Sequence, residues 1–246
     1  MEQQEKGTIR WDAPSRNSSE SMPFGGCDVG GNLWVEDGCV WLYLAQSGWF
    51  DENNSLLKAG RWRISFEPAA FAAHFSQTLC PERGQIRIEG DELAVTAWAE
   101  PDAPRVHLEI ESGIPRTIRY EYQSWRTENR RVPNCSYELF QCKEVFFYPH
   151  ADAVFYRDRI EPAAGELIFC HKNRPKALSF RKELEDQGLA AFEDRLYNPQ
   201  KDRIMGGWMR AEGLSYRRTV QGRYEDTPFT GWEYESRTPL TKTRLD

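Results

Sequence analysis

The sequence predicts an all-β fold: a large antiparallel sandwich or barrel with one short helical excursion. Three observations carry that expectation. Two β-rich runs flank Asp37-Gly38 in "NLWVEDGCVWLYLA", the strongest short hairpin pattern. Apolar and polar residues alternate in "GRWRISFEP", which puts Trp62, Ile64 and Phe66 on one face. Short strand-like segments then recur at even spacing between polar turns, as in a sandwich or barrel.

The elements follow in order. "GQIRIEG", "DELAVTAWAE", "RVHLEIES" and "RTIRYEYQSW" read as a meander, with breaks at Gly90-Asp91, at Pro101 to Pro104 and at Gly113 to Pro115. Further strands are expected in "AVFYRDRI", "ELIFCHKN", "LSYRRTV" and "GWEYESR". The helical excursion lies in "LSFRKELEDQGLAAFEDRLYNP", with Ser179 as N-cap and Gly188 as the stop. No repeat, low-complexity linker or boundary divides the chain, so residues 1–246 read as a single domain. "TPLTKTRLD" follows a strand-like segment without a closing turn, which reads as a cut ahead of a further domain.

Composition narrows the function classes. A net charge of −6 leaves no basic stripe to neutralise phosphates, which argues against nucleic acid. No apolar run approaches the roughly 20 residues that cross a bilayer. "MEQQEKGTIRW" carries no apolar leader core, so a cytoplasmic protein is expected, or a secreted or periplasmic one if a leader was removed. Cys27, Cys39, Cys80, Cys135, Cys142 and Cys170 are scattered without a C-x-x-C pair and read as free thiols. His74, His107, His150 and His171 lack metal spacing, and neither metal nor cofactor is expected.

One stretch, "MPFGGCDVGGN", gathers Gly25, Gly26, Gly30 and Gly31 around Asp28. A dinucleotide fingerprint needs G-x-G-x-x-G opening a helix, and a P-loop needs a Lys-Ser/Thr pair. Neither is present. What remains is a structural loop in which glycine allows positive φ or close backbone approach, with Asp28 holding its own backbone amides.

These residues carry a family resemblance. "IRWDAPSRNSSESMPFGGCDVGGNLWVEDG" and "SGWFDENNSLLKAGRWRISFEPAAF", with "FCHKN", "DQGL", "DRLYNP" and "GGWMRAEG" further on, resemble the N-terminal domain of a bacterial family of unknown function, DUF5703. The resemblance runs from about Ile9 to the end. It implies a β-supersandwich ahead of an (α/α) toroid related to inverting α-L-fucosidase-like glycoside hydrolases, the toroid holding the catalytic carboxylates. The partner so implied is the protein's own C-terminal catalytic domain. The glycine loop would then face that domain. Against the fucosidases themselves, "GGCDVGG" and "SGWFDEN" match in layout and only partly in residues, so sugar specificity does not carry over.

No catalytic residue is assigned from spacing. Glycoside hydrolysis needs two carboxyl groups about 5 to 9.5 Å apart, and Asp51 and Glu52 are adjacent, which in a strand would aim them oppositely. Glu183, Glu185 and Asp186 read as a solvated helix face. Sugar binding asks for an aromatic face with amides and carboxylates beside it. The candidates are Trp49, Asp51 and Asn53 in "GWFDENN", His171 and Asn173 in "HKN", and Trp208 behind two glycines. A Trp in such a setting more often packs a core or a domain interface. The expected ligand is an oligosaccharide. The domain reads as non-catalytic alone, and an independent carbohydrate-binding module or an interaction domain are the alternatives.

Overall fold

A computed structural model describes residues 7–132, 153–177 and 179–246. Cys135, Cys142 and His150 lie outside the described residues. The fold is all-β and antiparallel, built on one large curled sheet of 12 strands, and the only α-helix among the described residues, α1 (Phe180–Asp186), is short.

One end of that sheet runs β1 (Ile9–Trp11), β6 (Ser76–Cys80), β7 (Gln85–Gly90) and β8 (Leu93–Ala99). The other runs β2 (Met22–Gly26), β3 (Val29–Glu36), β4 (Cys39–Phe50) and β5 (Leu56–Glu67). Between them lies β9 (Val106–Ser124), a 19-residue strand shared by both halves. Its first part pairs with β8 and its last part with β5. Two late elements complete the halves. The hairpin β15 (Leu214–Tyr224)–β16 (Thr227–Ser236) adds to the C-terminal part of β9, and β17 (Leu240–Leu245) to its N-terminal part.

One expectation is corrected here. Gly113 to Pro115 is no turn: β9 runs straight through it, because the strand changes partners there and needs a flexible passage rather than a reversal. "TPLTKTRLD" carries a further strand. It forms β17, with Thr243 and Leu245 buried. The Asp37-Gly38 hairpin is present as expected, both residues at positive φ as a two-residue turn requires.

The two halves close over one core. Leu33, Leu42, Trp62, Ile64, Tyr120 and Tyr122 face inward from one half, Ile86, Ile88, Val95, Leu108 and Ile110 from the other. Period-2 alternation along most of these strands produces that division. A small sheet leans on this core: β12 (Arg159–Pro162), β13 (Glu166–Lys172) and β14 (Ile204–Arg210). Its inner face presents Leu167, Phe169, Met205 and Met209, and Phe169 stacks on Tyr122 at 5.1 Å between ring centroids. β10 (Arg130–Val132) and β11 (Ala153–Phe155) pair separately. Between β13 and β14 comes α1, with Ser179 at the N-cap position and Gly188 at φ +71° after the helix. Ser179 makes no side-chain capping bond.

Candidate functional site

The turn after β4 is shaped by its first carboxylate. Asp51 accepts from the main-chain N–H groups of Asn53 (2.9 Å) and Ser55 (2.8 Å), an Asx-type arrangement that reverses the chain. Burial pushes the Asp51 carboxyl up from its usual range, and these amide bonds draw it back. Asn53 Nδ2 donates across to the Val154 carbonyl at 3.0 Å. Because the segment is a turn and not a strand, adjacent Glu52 aims into the protein as well, fully buried.

Glu52 meets His171 there. His171 sits on the inner face of β13, two residues beyond Phe169, where the apolar alternation gives way to a polar end. Its Nε2 lies 3.0 Å from Glu52 Oε2 and its Nδ1 2.9 Å from Asp158 Oδ1. Asp158 is held in turn by Arg126 through Nε at 3.0 Å and a second guanidinium nitrogen at 2.7 Å. Glu52 Oε1 accepts from the Arg174 main chain at 2.8 Å. Burial draws the His171 pKa down, but hydrogen bonds to Asp158 and Glu52 outweigh it, and the pKa is pushed up to about 9. The imidazole is therefore charged at neutral pH.

Asn173 extends the cluster. Its Nδ2 donates to the carbonyls of Phe50 (3.0 Å) and Gln200 (3.1 Å), which fixes the amide's orientation. The Asn173 and Gln200 side-chain oxygens are buried without a hydrogen-bond partner among the described residues. The structure thus brings Asp51, Asn53, His171 and Asn173 together from the two sequence segments. Residues not foreseen complete the cluster: Arg126, Asp158 and Gln200. Nothing in "YRDRI" or "SWRTEN" distinguishes Asp158 or Arg126 from surface charges, since their roles exist only through long-range pairing.

Chemically the arrangement is a clamp. The Glu52 and Asp158 side chains are 0 % and 2 % exposed and flank one imidazolium, so neither faces a glycosidic bond. The solvated helix face is only partly realised. Glu185 pairs with Arg181 in solvent, whereas one oxygen of Glu183 is buried without a hydrogen-bond partner among the described residues.

The tryptophans separate from this cluster. Trp49 is half-buried and packs on the main core. Trp208 stands on the outer face of the small sheet, directly across from Ile168, and both are about half exposed. Ile204 continues the same face.

The glycine stretch is a β-hairpin. Gly25 pairs with Gly30 and Gly26 with Val29 around a Cys27-Asp28 turn, and the positive φ falls on Cys27. Gly30 and Gly31 keep negative or extended φ. The close approach is internal: a Cβ on Gly26 would stand 2.5 Å from the Glu100 carbonyl, and one on Gly31 2.8 Å from Phe24 and Leu44 side-chain atoms. Gly30 has open space. Asp28 acts through its main-chain carbonyl, which accepts from Ser47 N at 2.8 Å, and no described amide donates to its carboxylate.

Among the described residues no cluster of His, Cys, Asp and Glu could hold a metal ion, and no helix is long and apolar enough to cross a membrane. Cys27, Cys39, Cys80 and Cys170 are free. Fold and cluster together define an all-β domain with an internally paired polar centre. The family model described as Domain of unknown function (DUF5703) matches residues 10–246, and the chain belongs to this family as an N-terminal domain of the DUF5703 type. No curated protein matches the chain.

Proposed function

We propose that this domain is the non-catalytic β-sandwich of a glycoside hydrolase-like, carbohydrate-active protein. It packs on a C-terminal catalytic domain of the same protein and holds its polar turn at the rim of a sugar pocket. One observation carries the reading: the best-placed carboxylates, Glu52 and Asp158, are spent on a buried imidazolium, while Ile168, Trp208 and Ile204 stand exposed on the small sheet. Paired buried carboxylates suit a rigid support, and adjacent exposed apolar side chains suit a docking face.

The test uses the intact protein and the 246-residue chain side by side. The chain alone is expected to turn over no aryl glycoside. Ile168→Asp with Trp208→Asp is expected to leave the melting of the chain unchanged and to loosen the intact protein, read as a larger radius in small-angle scattering. Turnover by the chain, or an intact protein indifferent to both changes, overturns the proposal.

A further inference from the structure

On the outer face of β5 the sequence "KAGR" produces an unusual juxtaposition. Lys58 and Arg61 are three apart and would point to opposite faces of a regular strand. The register against β4 shifts here: Tyr43 faces Arg61, Leu44 faces Gly60, and Ala45 faces Lys58. Ala59 is the extra residue of a β-bulge, and Gly60 takes φ +141° with its absent side chain against the Tyr122 ring. Tyr122 Oη fixes the bulge by donating to the Ala59 carbonyl at 2.7 Å. The bulge puts both cations on one face.

Neither cation has a carboxylate within ion-pair distance among the described residues. Arg61 is only 3 % exposed. Its five N–H groups find Gln123 Oε1 and, at 3.5 Å, Tyr43 Oη. The guanidinium is otherwise faced by rings, with Tyr224 3.7 Å and Trp41 5.1 Å from its carbon. Arg116, equally buried, shows the contrast: it spends its N–H groups on three main-chain carbonyls and Ser112 Oγ. Lys58 is exposed and lies 4.3 Å over the Tyr43 ring, which Trp125 meets edge-on at 6.4 Å. Partial desolvation of the ammonium against the Tyr43 ring, and then the neighbouring Arg61, lower the Lys58 pKa. A purely structural role would be served by a paired or apolar side chain. Here the fold carries the repulsion and holds it against an aromatic surface with a bulge that only glycine allows.

We infer that Lys58 and Arg61, with the Tyr43 and Trp125 rings, form a binding site for an anionic sugar, a pyranose bearing a carboxylate or sulfate. The half-buried Trp125 ring takes the apolar face of the pyranose, while Tyr43, stacked on Trp34 at 5.2 Å, holds Lys58 in place. The anionic group lies toward Lys58 with Arg61 reinforcing the field from below. The saccharide part rests on the proposed function, whereas the anion part rests on two cations that have no carboxylate partner among the described residues.

Titration of the chain by tryptophan fluorescence decides it, with trigalacturonate, a sulfated disaccharide, cellotriose and sodium acetate as probes. At least one anionic sugar is expected to saturate, cellotriose is not, and Lys58→Gln is expected to weaken the anionic sugar at least tenfold. Lys58→Glu should abolish binding while the melting curve shows the variant folded. Whichever anionic sugar saturates identifies carboxylate or sulfate as the group read. Saturation by acetate as tightly as by the sugar would keep the anion site and sink the saccharide reading. Absence of saturation by any anionic probe, equal binding of cellotriose, or indifference to Lys58→Gln would overturn the inference.

Discussion

Two polar regions of this domain meet beside the Lys58 main chain, yet they treat charge oppositely. Around His171 each charge has its complement: Arg126 to Asp158, Asp158 and Glu52 to the imidazolium. One strand away, Lys58 and Arg61 lie against aromatic rings, with no carboxylate within ion-pair distance of either among the described residues. Arg126 joins the two by donating to the Lys58 main-chain carbonyl at 2.8 Å. Internally paired charge fixes geometry and is costly to disturb. Unpaired charge on a rigid bulge leaves attraction for something outside the chain. The difference separates a part that supports from a part that can bind.

The largest effect that would break this comparison is expected at Asp158. Asp158→Ala leaves Arg126 and one side of His171 buried without a carboxylate, and unfolding in urea should show a loss of about 3–5 kcal/mol. A loss under ~1 kcal/mol would mean the cluster is no clamp.

Next in size is the bulge. Gly60→Ala forces positive φ on a residue whose Cβ meets the Tyr122 ring, and should cost well over ~1 kcal/mol in the same assay. Gly30→Ala, in open space without positive φ, should shift the midpoint hardly at all. Equal effects at the two glycines would remove the case for a bulge built to carry Lys58 and Arg61.

The smallest effect sharpens the comparison from the other side. Lys58→Gln removes one of two repelling cations and should change stability by no more than ~0.5 kcal/mol, in either direction. A loss of 2 kcal/mol or more would show that Lys58 is as structural as Asp158.

Much of the fold was legible because its determinants are local. The Asp37-Gly38 turn and the Trp62, Ile64, Phe66 face follow from residues within a few positions of one another. Gly113 to Pro115 misled for the same reason. Its turn-forming residues sit inside β9, where exchange of partner strands decides the conformation. The polar centre was half legible: loop polarity brought forward Asp51, Asn53, His171 and Asn173, but Arg126 and Asp158 reach it only through contacts distant in sequence. For Lys58 and Arg61 the one available clue was Gly60, a lone glycine within a strand pattern, which marks a bulge. Spacing alone assigns these two residues to opposite faces.

The most direct measurement is the pH dependence of unfolding free energy, with His171→Gln as control. His171 has its pKa raised from 6.5 to about 9 on folding, so its contribution is fully present below pH 6.5 and is lost as pH rises through 9. The account predicts a fall of about 3 kcal/mol across that window in the parent chain, and a much flatter profile in His171→Gln. A parent profile that is flat, or that rises with pH between 6.5 and 9, would mean His171 is not held charged between Glu52 and Asp158, and would contradict the clamp.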